Sequence, residues 1–158
     1  MTGKKREHHV IGIDPGLTGA IAIVSPTDEV ILCTDLPLTD EDKPSVDGNL
    51  LYRLIDKFMP CTVVVEKVHA MPGQGVTSMF NFGKSYGTIL TAVKIAGANL
   101  LGITPQVWKK AQGLIKTEKE DSRQLALKKY PAAFKSLLRK KDHGRAEALL
   151  ICDYYINL

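Results

Sequence analysis

Asp14 closes the apolar run Val10-Ile11-Gly12-Ile13, and Glu66 closes a second one, Cys61-Thr62-Val63-Val64-Val65. A carboxylate on so apolar a strand needs a compensating cation, because burying an unpaired charge is expensive. A third acidic stretch, Asp142-His143-Gly144-Arg145-Ala146-Glu147-Ala148-Leu149-Leu150, opens a helix near the C-terminal end. Three acids far apart in sequence, each on a rigid element, make a hard-cation site if the chain brings them together. Magnesium takes a few oxygen ligands of this kind. A pair of such ions clamps the attacking and leaving oxygens of a phosphodiester. Asp142 also suits a simple N-cap, worth about 1 kcal/mol, and Glu147 suits a first-turn acid facing the helix dipole. Asp14 is the hardest of the set to read as merely structural.

The elements that must position these acids follow from periodicity. Val10 to Asp14, Gly19 to Val24 and Glu29 to Thr34 read as three sequential strands, with Gly16 and Gly19 bracketing the first turn. Asn49 to Met59 carries apolar residues at 50, 51, 54, 55 and 58, the spacing of an amphipathic helix, and Cys61–Glu66 follows as strand four. The turn-rich segment His69 to Thr77 comes directly after Glu66. Ser78 to Ala96 reads as a long helix that is apolar on two sides, which makes it either central or shared with a second subunit. Gly83 and Gly87 lie four apart on it, a spacing that admits close packing by another element. Asn99–Thr104 reads as a fifth strand, with helical pieces at 105–113, 118–129 and 134–139 and a last helix over 144–157. Pro105 suits the first turn of the first of these pieces, and Trp108 reads as its packing anchor.

One domain over 1–158 is the natural count, with residues 1–8 expected to be flexible. The apolar share of 44% and charged share of 24% are ordinary for a soluble globular protein. No signal peptide or membrane-spanning stretch is visible. Cys33, Cys61 and Cys152 are odd in number and show no CxxC spacing, which points to reduced thiols, a cytosolic setting and no zinc site. The net charge of +4 is uneven: Pro105 to Arg145 holds twelve Lys or Arg against four acids. Such a concentration is the footprint of a polyanion partner, or else the solvated face of lysine-rich helices.

The ordered set Ile13-Asp14-Pro15-Gly16 with Gly19 and Ala20, then Val64-Val65-Glu66, then Ala146-Glu147-Ala148-Leu149-Leu150 resembles the RuvC family of Holliday-junction resolvases, within the ribonuclease H-like superfamily. The wording DHGRAEALL is similar to its small phage-encoded branch, which implies the cytoplasm of a bacterial or phage-infected cell. The resemblance covers nearly all of the chain. It implies an α/β, ribonuclease H-like fold, a five-stranded mixed sheet flanked by helices. It further implies a homodimer that resolves four-way DNA junctions by metal-dependent phosphodiester hydrolysis, leaving 5′-phosphate ends. Two Mg²⁺ or Mn²⁺ ions per site would be held by Asp14, Glu66 and Glu147.

At the fourth ligand position the family has Asp or His three residues before the last acid, where this chain has Gly144. Asp142 is the favoured substitute because Mg²⁺ prefers carboxylate oxygen, with His143 then orienting water. The resemblance also implies lysines facing the scissile phosphate: Lys109 is one, and the second is Lys116 or Lys119. Lys110 and Arg123 fall in the same basic stretch and are expected to contact nucleic acid, and His69 and Met71 to touch unpaired bases. Alternatives are a nuclease for structured RNA or other branched DNA, and a non-catalytic junction-binding module.

Overall fold

The two apolar runs that end in acids lie side by side in the sheet. β1 (His9–Asp14) and β2 (Ala20–Val24) form an antiparallel hairpin, extended on one side by antiparallel β3 (Val30–Asp35). On the other side β4 (Cys61–Glu66) and β5 (Asn99–Ile103) run parallel to β1, giving the order β3-β2-β1-β4-β5. The computed structural model describes residues 6–158. The expected flexibility of residues 1–8 falls partly on 1–5, outside the described residues. Arg6 is tied down, with its guanidinium 2.7 Å from Asp28 and donating to the Ser25 carbonyl.

Strand side chains alternate between faces, and the two faces carry separate cores. Ile11, Ile13, Val63 and Val65 pack beneath α1 (Gly48–Lys57) and α2 (Val76–Ala96). Val10 and Val64, of opposite parity, pack beneath α5 (His143–Ile156). Asp14 and Glu66 share the parity of Val10 and Val64, so both acids point to the α5 side. α3 (Pro105–Ala111) and α4 (Lys119–Lys129) complete this layer. Gln112, capping α3, donates to the Leu150 carbonyl at 2.7 Å. At the end of α4, Lys129 Nζ lies 2.6 Å from Asp153 Oδ2, and the Tyr130 hydroxyl donates to Asp153 Oδ1 at 2.9 Å. These bonds fix both helices to α5.

Gly12 sets how deeply α5 settles on the sheet. A Cβ there would overlap the Ala148 carbonyl oxygen and come within 2.8 Å of Cys152 Sγ. Only glycine lets the helix backbone approach β1 this closely.

One expectation needs revision, and one open alternative closes. The piece expected as a helix over 134–139 is a 3-10 run, Pro131–Leu137, followed by a 3-10 turn, Lys140–Asp142. Pro131 fixes φ at its start, and seven residues is long for a 3-10 run. α2 is not central: it buries Ser85, Ile89, Ala92 and Val93 on one face and exposes Val76, Phe80 and Ile95 on the others. Nothing described lies within 4 Å of a Cβ built on Gly83 or Gly87, so no element of the chain packs closely there. Among the described residues, no helix is long and apolar enough to cross a membrane.

Candidate functional site

The parallel pairing of β1 with β4 runs from His9↔Cys61 to Ile13↔Val65. One step further, Asp14 and Glu66 end adjacent strands on the same face. The first turns of α5 lie across them. Gly144 faces Asp14 directly, and a Cβ on it would stand 3.3 Å from Asp14 Oδ2. Gly144 thus gives the Asp14 carboxylate its room. One turn on, Glu147 is close enough for its charge to act on both strand acids. Burial, then Glu147, then Glu66 hold the Asp14 carboxyl well above the ordinary carboxylate range. Burial likewise raises Glu66, against the opposing pull of a hydrogen bond from Trp108.

α3 supplies the counter-groups. Trp108 is fully buried and its indole Nε1 donates to Glu66 Oε2 at 2.8 Å. Lys109 Nζ lies 3.3 Å from Glu147 Oε1 and 5.2 Å from the centre of the Trp108 ring. The charges of Lys109 and Lys119 both act on Asp14. Of the two candidates for the second lysine, Lys119 is therefore the one near the acids. Lys110, Lys116 and Lys119 are all exposed, and of them only Lys119 is among the charges that act on Asp14.

Trp108 serves as more than the packing anchor expected of it. The available signal was that a buried indole N–H needs an acceptor. Phe at this position would keep the ring and leave Glu66 without its donor. Trp108→Phe is expected to lower divalent-dependent cleavage about tenfold, the usual scale for losing a group that orients a ligand. Its melting temperature should fall only modestly. Unchanged cleavage in Trp108→Phe would show that the bond does not position Glu66.

Asp142 is not brought to this group. Its carboxylate accepts from the Arg139 backbone N–H at 2.8 Å and from Arg139 Nη2 at 2.7 Å, with Arg145 Nη1 3.9 Å away. Arg145 in turn grips Asp35 through two bonds of 2.8 and 3.0 Å. The favoured metal role for Asp142 meets a competing fact: both of its oxygens are already engaged by arginine. The spacing Arg139-x-x-Asp142-x-x-Arg145 was the sequence signal for this. His143, half-buried at the first position of α5, is one helical turn before Glu147.

The Arg139 hydrogen bond holds the Asp142 carboxyl below its usual range. A depressed folded value means the stabilisation is complete above the unfolded aspartate value of about 3.9 and is lost as pH falls through the lower folded one. Asp142→Asn should therefore destabilise the protein at neutral pH by about 1–3 kcal/mol, with the difference from wild type vanishing in acid. Thermal melts from pH 2 to 7 check this. Cleavage by the folded variant should stay within a few-fold of wild type, and its loss in well-folded Asp142→Asn would return Asp142 to the site.

Arg123 is also occupied, paired with Glu120 and donating to the Leu137 carbonyl at 2.6 Å. His69 and Met71 line a cleft of about 440 Å³ beside the end of β4, with Lys67, Met79, Phe82 and Gln106. The larger cleft, about 850 Å³, lies between α1 and α2 and is lined by Tyr52, Thr88, Thr91 and Ile95 among others, away from the acids.

The family implied by the sequence uses divalent ions. Among the described residues, no three His, Cys, Asp or Glu side chains stand close enough to enclose one. The donor set nonetheless fits in kind. It consists of oxygens only, around a half-buried Asp14 whose raised carboxyl receives no hydrogen bond among its larger influences.

No family model matches the chain, and no curated protein matches it in sequence. Solved structures do. Thermus thermophilus RuvC in complex with a Holliday junction substrate superposes with a TM-score of 0.66 at 20% identity, over 96% of each chain. This chain has the RuvC fold. A second T. thermophilus RuvC structure gives 0.56 at 18% identity over 94% of this chain and 95% of that one. The yeast mitochondrial Holliday junction resolvase gives 0.58 at 19% identity, over 93% of this chain and 77% of that one. The five-stranded mixed sheet and its flanking helices are thus the RuvC arrangement across nearly the whole chain.

Proposed function

We propose that the protein is a divalent-metal-dependent endonuclease that cuts four-way DNA junctions. The observation that carries this reading is the convergence of Asp14, Glu66 and Glu147 on one face of a RuvC-fold sheet, beside Lys109 and Lys119. Asp14, Glu66 and Glu147 would hold the ions, and His143 is the remaining candidate for the fourth position. Bound divalent ions would supply the Lewis acidity that activates water and stabilises the leaving 3′ oxygen. Asp14 is the acid on which the charges of both others act. Trp108 orients Glu66. Lys109 and Lys119 attract the phosphodiester and offset charge developing on it. The basic stretch from Pro105 to Arg145 provides the long-range attraction for a polyanion.

Two copies related by a two-fold axis would match the symmetry of a four-way junction. The exposed side of α2, with Phe80 72% and Ile95 69% accessible, is the surface this reading assigns to the dimer.

The test is a substrate panel. A synthetic four-way junction, a flap, a linear duplex and a structured RNA are each incubated with the protein, with and without Mg²⁺. Preferential Mg²⁺-dependent cutting of the junction, leaving 5′-phosphate ends, is the expected result. Preference for RNA or flaps would change the substrate but keep the nuclease. Binding without cutting would leave only a junction-recognition module.

A further inference from the structure

The helix that orients the acids also supplies a counter-charge to them. Lys109 Nζ lies 3.3 Å from Glu147 Oε1 and its charge acts on both Asp14 and Glu66, so one ammonium group serves all three carboxylates. The same ammonium sits 5.2 Å from the Trp108 ring centre, and the Trp108 N–H engages Glu66 Oε2 at 2.8 Å. One oxygen of Glu66 and one of Glu147 are thus engaged by two consecutive residues of one seven-residue helix. Among the described residues, no ready-made cluster of ligands closes around a common point.

We propose that Lys109 is an exchangeable internal counter-ion. It neutralises the acid pocket while no divalent ion is bound, and ion binding expels it from Glu147. The released ammonium is then available to the scissile phosphate. The inference rests on the metal-site reading above and adds to it a competition between Lys109 and the ion. A divalent ion held by Glu147 would meet like charge 3.3 Å from that ligand's Oε1, so Lys109 in its present place would weaken ion binding and its withdrawal would strengthen it. Lys109 has somewhere to go, since its side chain is 30% exposed while that of Glu147 is 14%. The arrangement ties ion affinity to phosphate: DNA that draws Lys109 away removes the competitor, and ion and substrate then bind with positive coupling.

Trp108 is the sole tryptophan of the chain and touches both Lys109 and Glu66, so its fluorescence reports movement of the lysine. The experiment titrates Mg²⁺ into the protein without DNA, followed by Trp108 emission and by calorimetry. Wild type, Lys109→Met, Lys109→Arg and Asp14→Asn are compared. Lys109→Met is expected to bind Mg²⁺ roughly twofold to fivefold more tightly than wild type, the scale of losing one partly screened charge pair. Lys109→Arg keeps the charge and should stay close to wild type. An affinity in Lys109→Met equal to or weaker than wild type, with Asp14→Asn still abolishing binding, would overturn the counter-ion inference alone. Absence of Mg²⁺ binding in both wild type and Lys109→Met, or binding unaffected by Asp14→Asn, would overturn the metal-site reading and the inference with it.

Discussion

Asp14→Asn is expected to lose cleavage of a four-way junction by about a thousandfold or more while binding the junction nearly as well as wild type. The size follows from removing one charged ligand of the proposed ion site, on which several kcal/mol of transition-state stabilisation would depend. Binding survives because the basic stretch supplying the phosphate contacts is untouched. The same substitution should raise thermal stability in divalent-free buffer. Burial, Glu147 and Glu66 hold the Asp14 carboxyl above its ordinary range, so its ionised form opposes folding at neutral pH. A neutral amide of the same shape removes that opposition. An acid whose folded value is raised weakens the protein above that value and has no effect below the unfolded value of about 3.9, where it is neutral in both states. The gain in melting temperature should therefore be present at pH 7 and absent near pH 3. Added Mg²⁺ should raise the melting temperature of wild type and leave that of Asp14→Asn unchanged. Gel-based cleavage and binding assays, with melts at the two pH values, check all four statements. Retained cutting would remove Asp14 from the chemistry.

Gly12→Val is expected to produce the largest loss of stability of any single change considered, about 3 kcal/mol or more. Overpacking is often relieved when a flexible side chain moves aside. At Gly12 the first obstacle is the Ala148 carbonyl oxygen, part of the helix backbone, and the second is Cys152 Sγ at 2.8 Å. Cys152 is itself fully buried and within 3.5 Å of the Ala22 carbonyl, so it cannot give way. The helix would have to lift from the sheet. Because Gly144 and Glu147 ride on α5, any folded Gly12→Val protein should also be impaired in cleavage, although residue 12 touches no acid of the site. Chemical denaturation together with the cleavage assay tests this. A variant as stable as wild type would mean that α5 does not rest on β1 as closely as described.

Much of this arrangement was legible in the sequence, and for identifiable reasons. The strands were readable because their apolar runs are bounded by turns. Period-two alternation puts Asp14 and Glu66 on one face once β1 and β4 are neighbours in register. Glu147 came from the resemblance, as the acid followed by Ala-Leu, since by position alone it reads equally as an acid facing the helix dipole. Asp142 was harder. An acid at a helix entrance is equally suited to cap, ligand or ion-pair partner, and what decides is the position of Arg139 and Arg145 in space. The choice between Lys116 and Lys119 depended on where α4 begins. Lys119 is its first residue, while Lys116 lies in the preceding loop with a positive φ of 58°. The outer side of α2 was ambiguous because an apolar surface reads the same whether it is buried within the chain or exposed on it. The Trp108–Glu66 bond joins residues 42 apart, brought together by the pairing of β4 with β5, in which Glu66 faces Ile103, and by the docking of α3 on α5 through Gln112.

The central claim is that Asp14, Glu66 and Glu147 form one divalent-ion site. Anomalous diffraction from crystals of the wild-type protein grown with Mn²⁺ and an uncleavable four-way junction tests it most directly. Manganese peaks bound by Asp14 and shared with Glu66 and Glu147, next to a junction phosphate, are predicted. Fully ordered DNA with no manganese at the ends of β1 and β4, or with manganese bound only elsewhere on the chain, would contradict it.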